Sequence, residues 1–134
     1  IIYLMTLENI ISKFSKKEIE YEFKKSFSFE KRRNESTRIL LKYPNRIPII
    51  CERSRDSNIA KIDRNKYLVP SNLNIGQFLY IIRKRIKLSP ESSLFIFINN
   101  SLPSTSKLIK NLYENEKDDD GFMYILYKEE STFG

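Results

Sequence analysis

Histidine and tryptophan are absent from the 134 residues, cysteine occurs once and glycine three times. Each shortage removes a class of chemistry. Without histidine and with a single cysteine, the Cys-His and Ser-His-Asp nucleophile systems cannot be assembled, nor can a zinc site that needs more than one His or Cys ligand. Glycine stands only at Gly76, Gly121 and Gly134, so neither a GxxxxGK[ST] loop nor a GxGxxG turn is present to cradle a phosphate. The expectation is a non-catalytic chain with no metal and no cofactor. A lone cysteine excludes an intrachain disulfide, and the place of Cys51 in the run Ile47-Pro48-Ile49-Ile50-Cys51 predicts a buried, inert thiol. Long apolar runs are missing too. Ile1 to Met5 is shorter than the core of a secretory signal and nothing approaches a membrane span, which predicts a cytoplasmic protein.

What is present is the composition of one folded domain, 40% hydrophobic and 31% charged. The net charge of +7 is unevenly spread: residues 1–55 hold 13 Lys/Arg against 7 Asp/Glu, and residues 101–134 hold 4 against 7. The basic body attracts anionic partners, which include acidic peptides, anionic lipid headgroups and nucleic acid, and charge does not choose among them.

Leu4, Leu7, Ile11 and Phe14 recur at helical spacing beside Lys13, Lys16 and Lys17, predicting a short amphipathic helix in residues 1–22. A second helix starts after Ser28, a cap, carries Glu30 at its positive end, and stops at Tyr43-Pro44. Arg46 to Arg53 alternates Ile47, Ile49 and Cys51 with Pro48, Ile50 and Glu52, the period of a strand whose interior Pro48 weakens. Lys66 to Pro70 is a second strand suited to a sheet edge, pairing antiparallel with the first. Asn74 caps a long helix with a core stripe of Ile75, Phe78, Leu79, Ile82 and Ile86. Leu94 to Ile98 reads as a third strand, Ser104 to Glu116 as a short helix and Phe122 to Tyr127 as a fourth strand, with turns at Asn99-Asn100 and Asp118 to Gly121. Asp118-Asp119-Asp120 lacks the ligand spacing of an EF-hand and predicts a solvated acidic loop. This order is that of an α+β, ubiquitin-like β-grasp, a four-stranded mixed sheet around one long helix with two extra N-terminal helices.

Several segments together resemble the autophagy-related ubiquitin-like modifiers, the autophagy-related protein eight or GABARAP family. They are Phe29-Glu30-Lys31-Arg32-Arg33, Lys42-Tyr43-Pro44-Asn45-Arg46-Ile47-Pro48, Lys66-Tyr67-Leu68-Val69-Pro70, Gly76-Gln77-Phe78, Ile82-Arg83-Lys84-Arg85-Ile86, Phe97-Ile98-Asn99-Asn100 and Phe133-Gly134. The resemblance covers residues 23–134, with residues 1–22 as an extension in front and 129–134 as a flexible tail.

The resemblance implies a two-pocket groove that takes receptor and adaptor peptides of the form aromatic-x-x-aliphatic as an added strand. The aromatic pocket would be lined by Glu35, Ile39, Pro48, Lys66, Leu68 and Phe122. The aliphatic pocket would be lined by Tyr67, Val69, Pro70, Leu73, Phe78 and Ile81. Arg46, Arg64 and Arg85 would meet acidic residues of the peptide. The resemblance also implies conjugation of the Gly134 carboxylate to phosphatidylethanolamine by ubiquitin-activating-like and carrier enzymes, with Phe133 serving tail recognition. A cysteine protease would act in processing or delipidation. The product would be peripherally anchored on the autophagosome or a related membrane, such as that of a relict plastid. Two other readings remain open: an unconjugated ubiquitin-fold adaptor, and a basic nucleic-acid-binding module, against which stands the absence of RNP, KH and helix-turn-helix signatures. No nucleic-acid partner is expected.

Overall fold

The computed structural model describes residues 20–129; the helix expected across Leu4 to Phe14 lies outside them. Within that span the elements are α1 (Glu22–Ser26), α2 (Phe29–Lys42), β1 (Arg46–Arg53), β2 (Lys66–Pro70), α3 (Ile75–Ile86), β3 (Leu94–Phe97), α4 (Ile109–Glu116) and β4 (Met123–Glu129). Ser28 caps α2 as expected, its Oγ accepting the Lys31 N–H at 3.3 Å. At α3, Asn74 Oδ1 accepts from the Gln77 N–H at 2.8 Å while Gln77 Oε1 accepts from the Asn74 N–H at 2.9 Å, a reciprocal capping box. Lys87, left-handed at φ 52°, ends that helix.

The strands order as β2-β1-β4-β3, with β1 antiparallel to β2, parallel to β4, and β3 antiparallel to β4. Three boundaries move from the sequence expectation. The last helix begins at Ile109 instead of Ser104, because residues 104–107 form a turn in which Lys107 N donates to Ser104 O at 3.1 Å. The third strand stops at Phe97, and Ile98 bridges to Ser101 across Asn99 and Asn100, both left-handed at φ 49° and 66°, a conformation Asn tolerates in tight hairpin turns. The fourth strand runs to Glu129, held by the pairing of Leu94 with Glu129.

Both faces of the sheet are covered. On one, Ile75, Phe78, Ile82 and Ile86 of α3 pack on Ile47, Ile49, Cys51, Met123, Ile125 and Tyr127. On the other, Tyr21 and Phe23 pack on Ile50, Phe122 and Tyr124, with Ile39 alongside. The continuous apolar run of β1 follows from this, since a central strand buried on both sides has no polar face to alternate with. Pro48 costs β1 little. Cys51 N–H bonds to Asn65 O and Ser71 N–H to Asn45 O, so odd residues of β1 bond to β2. The nitrogen of Pro48 therefore faces β4, whose pairing begins only at Ile49 with Met123.

The short α1 escapes sequence reading because part of its support comes from far along the chain: the Glu52 carboxylate accepts the N–H groups of Glu22 and Phe23 at 2.8 and 3.0 Å. The acidic loop is also corrected. Asp120 is fully buried and receives Arg32 Nε at 2.8 Å, while Asp118 takes Lys24 Nζ at 2.7 Å and Arg33 donates to Asp119 O at 2.7 Å. Cations of α1 and α2 thus draw Asp118 and Asp120 inward, while Asp119 stays exposed. Gly121 follows at φ 91°, and a Cβ there would meet Ser36 Cβ at 2.9 Å, so only glycine fits between loop and helix.

Candidate functional site

Strand β2 is an edge of the sheet, and its register fixes which backbone groups it offers. Since Asn65, Tyr67 and Val69 bond toward β1, the backbone groups of Lys66, Leu68 and Pro70 point outward. Pro70 has no N–H, and its carbonyl accepts from Leu73 N at 3.1 Å. Arg46 Nη1 covers the Leu68 carbonyl at 2.9 Å. The Lys66 carbonyl and the Leu68 N–H remain outside the β1 ladder. They flank Tyr67 in the arrangement that one residue of a parallel added strand engages with its own N–H and C=O.

Side-chain alternation then divides the predicted groove between the two faces of the sheet. On the α2 side, Lys66 pairs with Glu35, its Nζ standing 5.7 Å from the Phe23 ring centroid. Ile39, one turn along from Glu35, is half-buried against the cluster that contains Phe122. Pro48 and Phe122 are fully buried; Glu35, Ile39, Lys66 and Leu68 are half-buried. On the α3 side, Tyr67 meets Phe78 edge to face, centroids 5.8 Å apart at 90°. Val69 and Phe78 are buried beneath half-buried Tyr67, Pro70, Leu73 and Ile81.

The three predicted flanking arginines are exposed but differently engaged. Arg85 pairs with Asp63 at 3.2 Å and lies 5.9 Å from the Tyr67 ring centroid. Arg46 is bonded to the edge carbonyl, and Arg64 has no carboxylate partner among the described residues. Sequence reasoning misses Phe23, which places an aromatic ring under Lys66 and has its signal only in the four-residue spacing to Phe27. It also misses the hydroxyl of Tyr67, a buried polar atom with no hydrogen-bond partner among the described residues.

Cys51 is fully buried, and desolvation, with the Glu52 charge beside it, pushes its thiol far above the ordinary range, so it is no nucleophile at neutral pH. Among the described residues no helix is long and apolar enough to cross a membrane. Phe133 and Gly134 lie outside the described residues.

Comparison with known proteins agrees with this architecture. Autophagy-related protein 8 of Schizosaccharomyces pombe is 60% identical over 113 residues, covering 84% of this chain and 93% of that one. Its counterpart in Coccidioides immitis is 57% identical over 113 residues, covering 84% and 97%. The crystal structure of Trypanosoma brucei ATG8 superposes with a TM-score of 0.82 at 40% identity, covering 87% of this chain and 100% of that one. Plasmodium falciparum Atg8, solved in complex with a Plasmodium falciparum Atg3 peptide, gives 0.75 at 38% identity, covering 81% and 96%. A family model described as "Autophagy protein Atg8 ubiquitin like" matches residues 31–134. The chain belongs to the Atg8 family of ubiquitin-like autophagy proteins.

Proposed function

We propose that this chain is a non-enzymatic modifier whose Gly134 carboxylate is conjugated to phosphatidylethanolamine on autophagosomal membranes, and whose β2 edge recruits receptors and adaptors through aromatic-x-x-aliphatic peptides. The observation that carries the recruitment half is the edge itself: an outward Lys66 carbonyl and Leu68 N–H with half-buried side chains on each side of the strand. The aromatic side chain would enter between α2 and β2, where Lys66, Glu35, Ile39 and Leu68 stand over Phe122. The aliphatic one would enter between β2 and α3, over Phe78. Arg46, Arg64 and Arg85 would meet acidic residues of the peptide, which raises encounter rate and fixes register more than it adds affinity.

The conjugation half rests on family membership and on Gly134. Its carboxylate would be adenylated by an activating enzyme with release of pyrophosphate, transferred to a carrier thiolate with loss of AMP, and captured by the lipid amine with return of the thiolate. A residue without a side chain suits passage through narrow active sites, and Phe133 would serve recognition by those enzymes. The Atg3 peptide held by the Plasmodium relative supports a carrier enzyme as one partner. A cysteine protease would be a second, exposing or releasing the same glycine. Residues 1–22 would form an extension in front of the domain.

The test is incubation of intact and Gly134-deleted protein with activating and carrier enzymes, ATP and phosphatidylethanolamine vesicles, followed by mass measurement. The intact chain should gain one lipid mass less water and the deleted chain nothing. Equal modification of the two would place the attachment elsewhere, and modification of neither would favour an unconjugated adaptor.

A further inference from the structure

Lys66 and Phe122, both assigned to the proposed aromatic pocket, lie against one ring. That ring is Phe23, 3% exposed, with Lys66 Nζ 5.7 Å from its centroid and Phe122 packed edge to face on it at 5.2 Å and 74°. Phe23 is carried by α1, a helix of 5 residues with no side-chain cap of its own at Tyr21. So short a helix is not stable alone in water. Its cap comes from β1, where the Glu52 carboxylate accepts the Glu22 N–H on Oε1 at 2.8 Å and the Phe23 N–H on Oε2 at 3.0 Å. Among the described residues Glu52 makes no other hydrogen bond and no ion pair. Its place follows from alternation along β1: Pro48, Ile50 and Glu52 share the face that α1 and α2 cover, and the pairing with β2 ends at Ile50 with Lys66. One strand therefore supplies both a residue of the proposed pocket, Pro48, and the carboxylate that seats the helix beside it.

We infer that Glu52 is a positioning residue for the aromatic half of the groove, acting through α1 and Phe23, so that affinity for an aromatic side chain depends on how completely α1 is docked. The inference rests on the peptide-binding reading proposed above. Both bonds are charge-assisted and satisfy N–H groups of the first turn, so the carboxylate holds the end of α1 that bears the ring. The segment has further ties to the body of the domain: Tyr21 packs on Tyr124 with centroids 4.7 Å apart, and Lys24 meets Asp118 at 2.7 Å. Loss of Glu52 therefore loosens the first turn, and the ring with it, without detaching the segment. A ligand that needs the docked state then binds more weakly in proportion to the fraction docked. The aliphatic half, built from β2 and α3 on the other face of the sheet, is spared.

The test pairs hydrogen exchange with titration calorimetry on the full chain, using a peptide that carries one aromatic-x-x-aliphatic motif. In the free protein, Glu52→Ala should speed exchange of the Lys25 and Phe27 N–H groups, which donate to Tyr21 O and Phe23 O, by about tenfold. The same variant should weaken the peptide by about tenfold. Glu52→Gln, which keeps one carbonyl acceptor, should fall between it and the unchanged protein. In a Phe23→Leu background, Glu52→Ala should change affinity by less than about twofold, because the ring it positions is gone. A general loss of stability would weaken binding in that background too. Unchanged exchange in α1, faster exchange with unchanged affinity, or a full loss in the Phe23→Leu background would each overturn the inference. Leu68→Ala separates the two readings: if it weakens the peptide while Glu52→Ala does not, the groove stands and only the role of Glu52 falls. If the unchanged protein binds no such peptide, the groove falls and this inference with it.

Discussion

Arg32 and Asp120 meet as an ion pair inside the molecule, Nε 2.8 Å from Oδ2, with side-chain exposures of 10% and 0%. Asp120 also accepts the Phe122 N–H at 2.9 Å and the Tyr124 hydroxyl, while Arg32 Nη1 donates to the carbonyls of Phe27 and Lys24 at 2.8 and 3.2 Å. One carboxylate therefore joins α2, the α1–α2 link and the start of β4. Since α2 carries Glu35 and Ile39, this pair also positions the α2 side of the proposed groove.

Removing either partner strands the other as a buried charge. Arg32→Ala should destabilise the fold by about 3–5 kcal/mol, the scale of an uncompensated buried ion. Urea denaturation measures this, and a loss below about 1 kcal/mol would mean that solvent reaches Asp120 in the native state.

Asp118 supplies a pH dependence. Burial by itself raises its carboxyl, but the hydrogen bonds from Lys24 and the Asp120 N–H, with the charges of Lys24 and Arg32, outweigh it and hold the group below the ordinary value. A depressed carboxylate contributes stability that is fully present above its unfolded value of about 4 and is lost as pH falls through the lower folded value. Thermal stability should therefore hold steady from neutral pH to about 5 and decline below about 4, with a shallower decline in Asp118→Asn. Identical acid slopes for the two proteins would remove Asp118 from the account.

The Tyr67 hydroxyl gives a prediction of opposite sign. Burial raises its ionisation far above the usual range, and no partner satisfies the hydroxyl among the described residues. Tyr67→Phe should leave stability unchanged or raise it by up to about 1 kcal/mol, since a buried donor without a partner is removed while the edge-on contact with Phe78 is kept. A clear loss in calorimetry would show that the hydroxyl has a partner in solution.

Local rules carried much of the fold. The bounds of β1, β2, α2 and α3 follow from caps, prolines and periodicity, because Ser28, Asn74 and Pro44 act on residues beside them in the chain. What escaped sequence reading depends on partners far away: Glu52 capping α1 across 30 residues, and Arg32 reaching Asp120 across 88. A run of three aspartates looks solvated until the cations that fold onto it are known. The residues of the proposed groove come from family resemblance, not from pattern, since half-buried Leu68 and buried Val69 both read as strand interior. Parity along β2 supplies a physical reason for the proposal that one strand serves two pockets.

That parity leads to the last prediction. Leu68 points to the α2 side of the sheet by alternation, and Ile81 lies on α3, which packs on the other side. An aromatic-x-x-aliphatic peptide seated on the edge of β2 would place one anchor against each. Truncating a buried anchor contact weakens binding by about 1–3 kcal/mol, so Leu68→Ala and Ile81→Ala should each do so in titration calorimetry. Their effects should add to within about 0.5 kcal/mol in the double variant, because the two positions lie on opposite faces of the sheet. A peptide with its aromatic residue replaced by alanine should be insensitive to Leu68→Ala yet still lose affinity with Ile81→Ala. Strong coupling between the two substitutions in folded protein would mean that both anchors share one pocket, and the edge-strand geometry would have to give way to another docking mode.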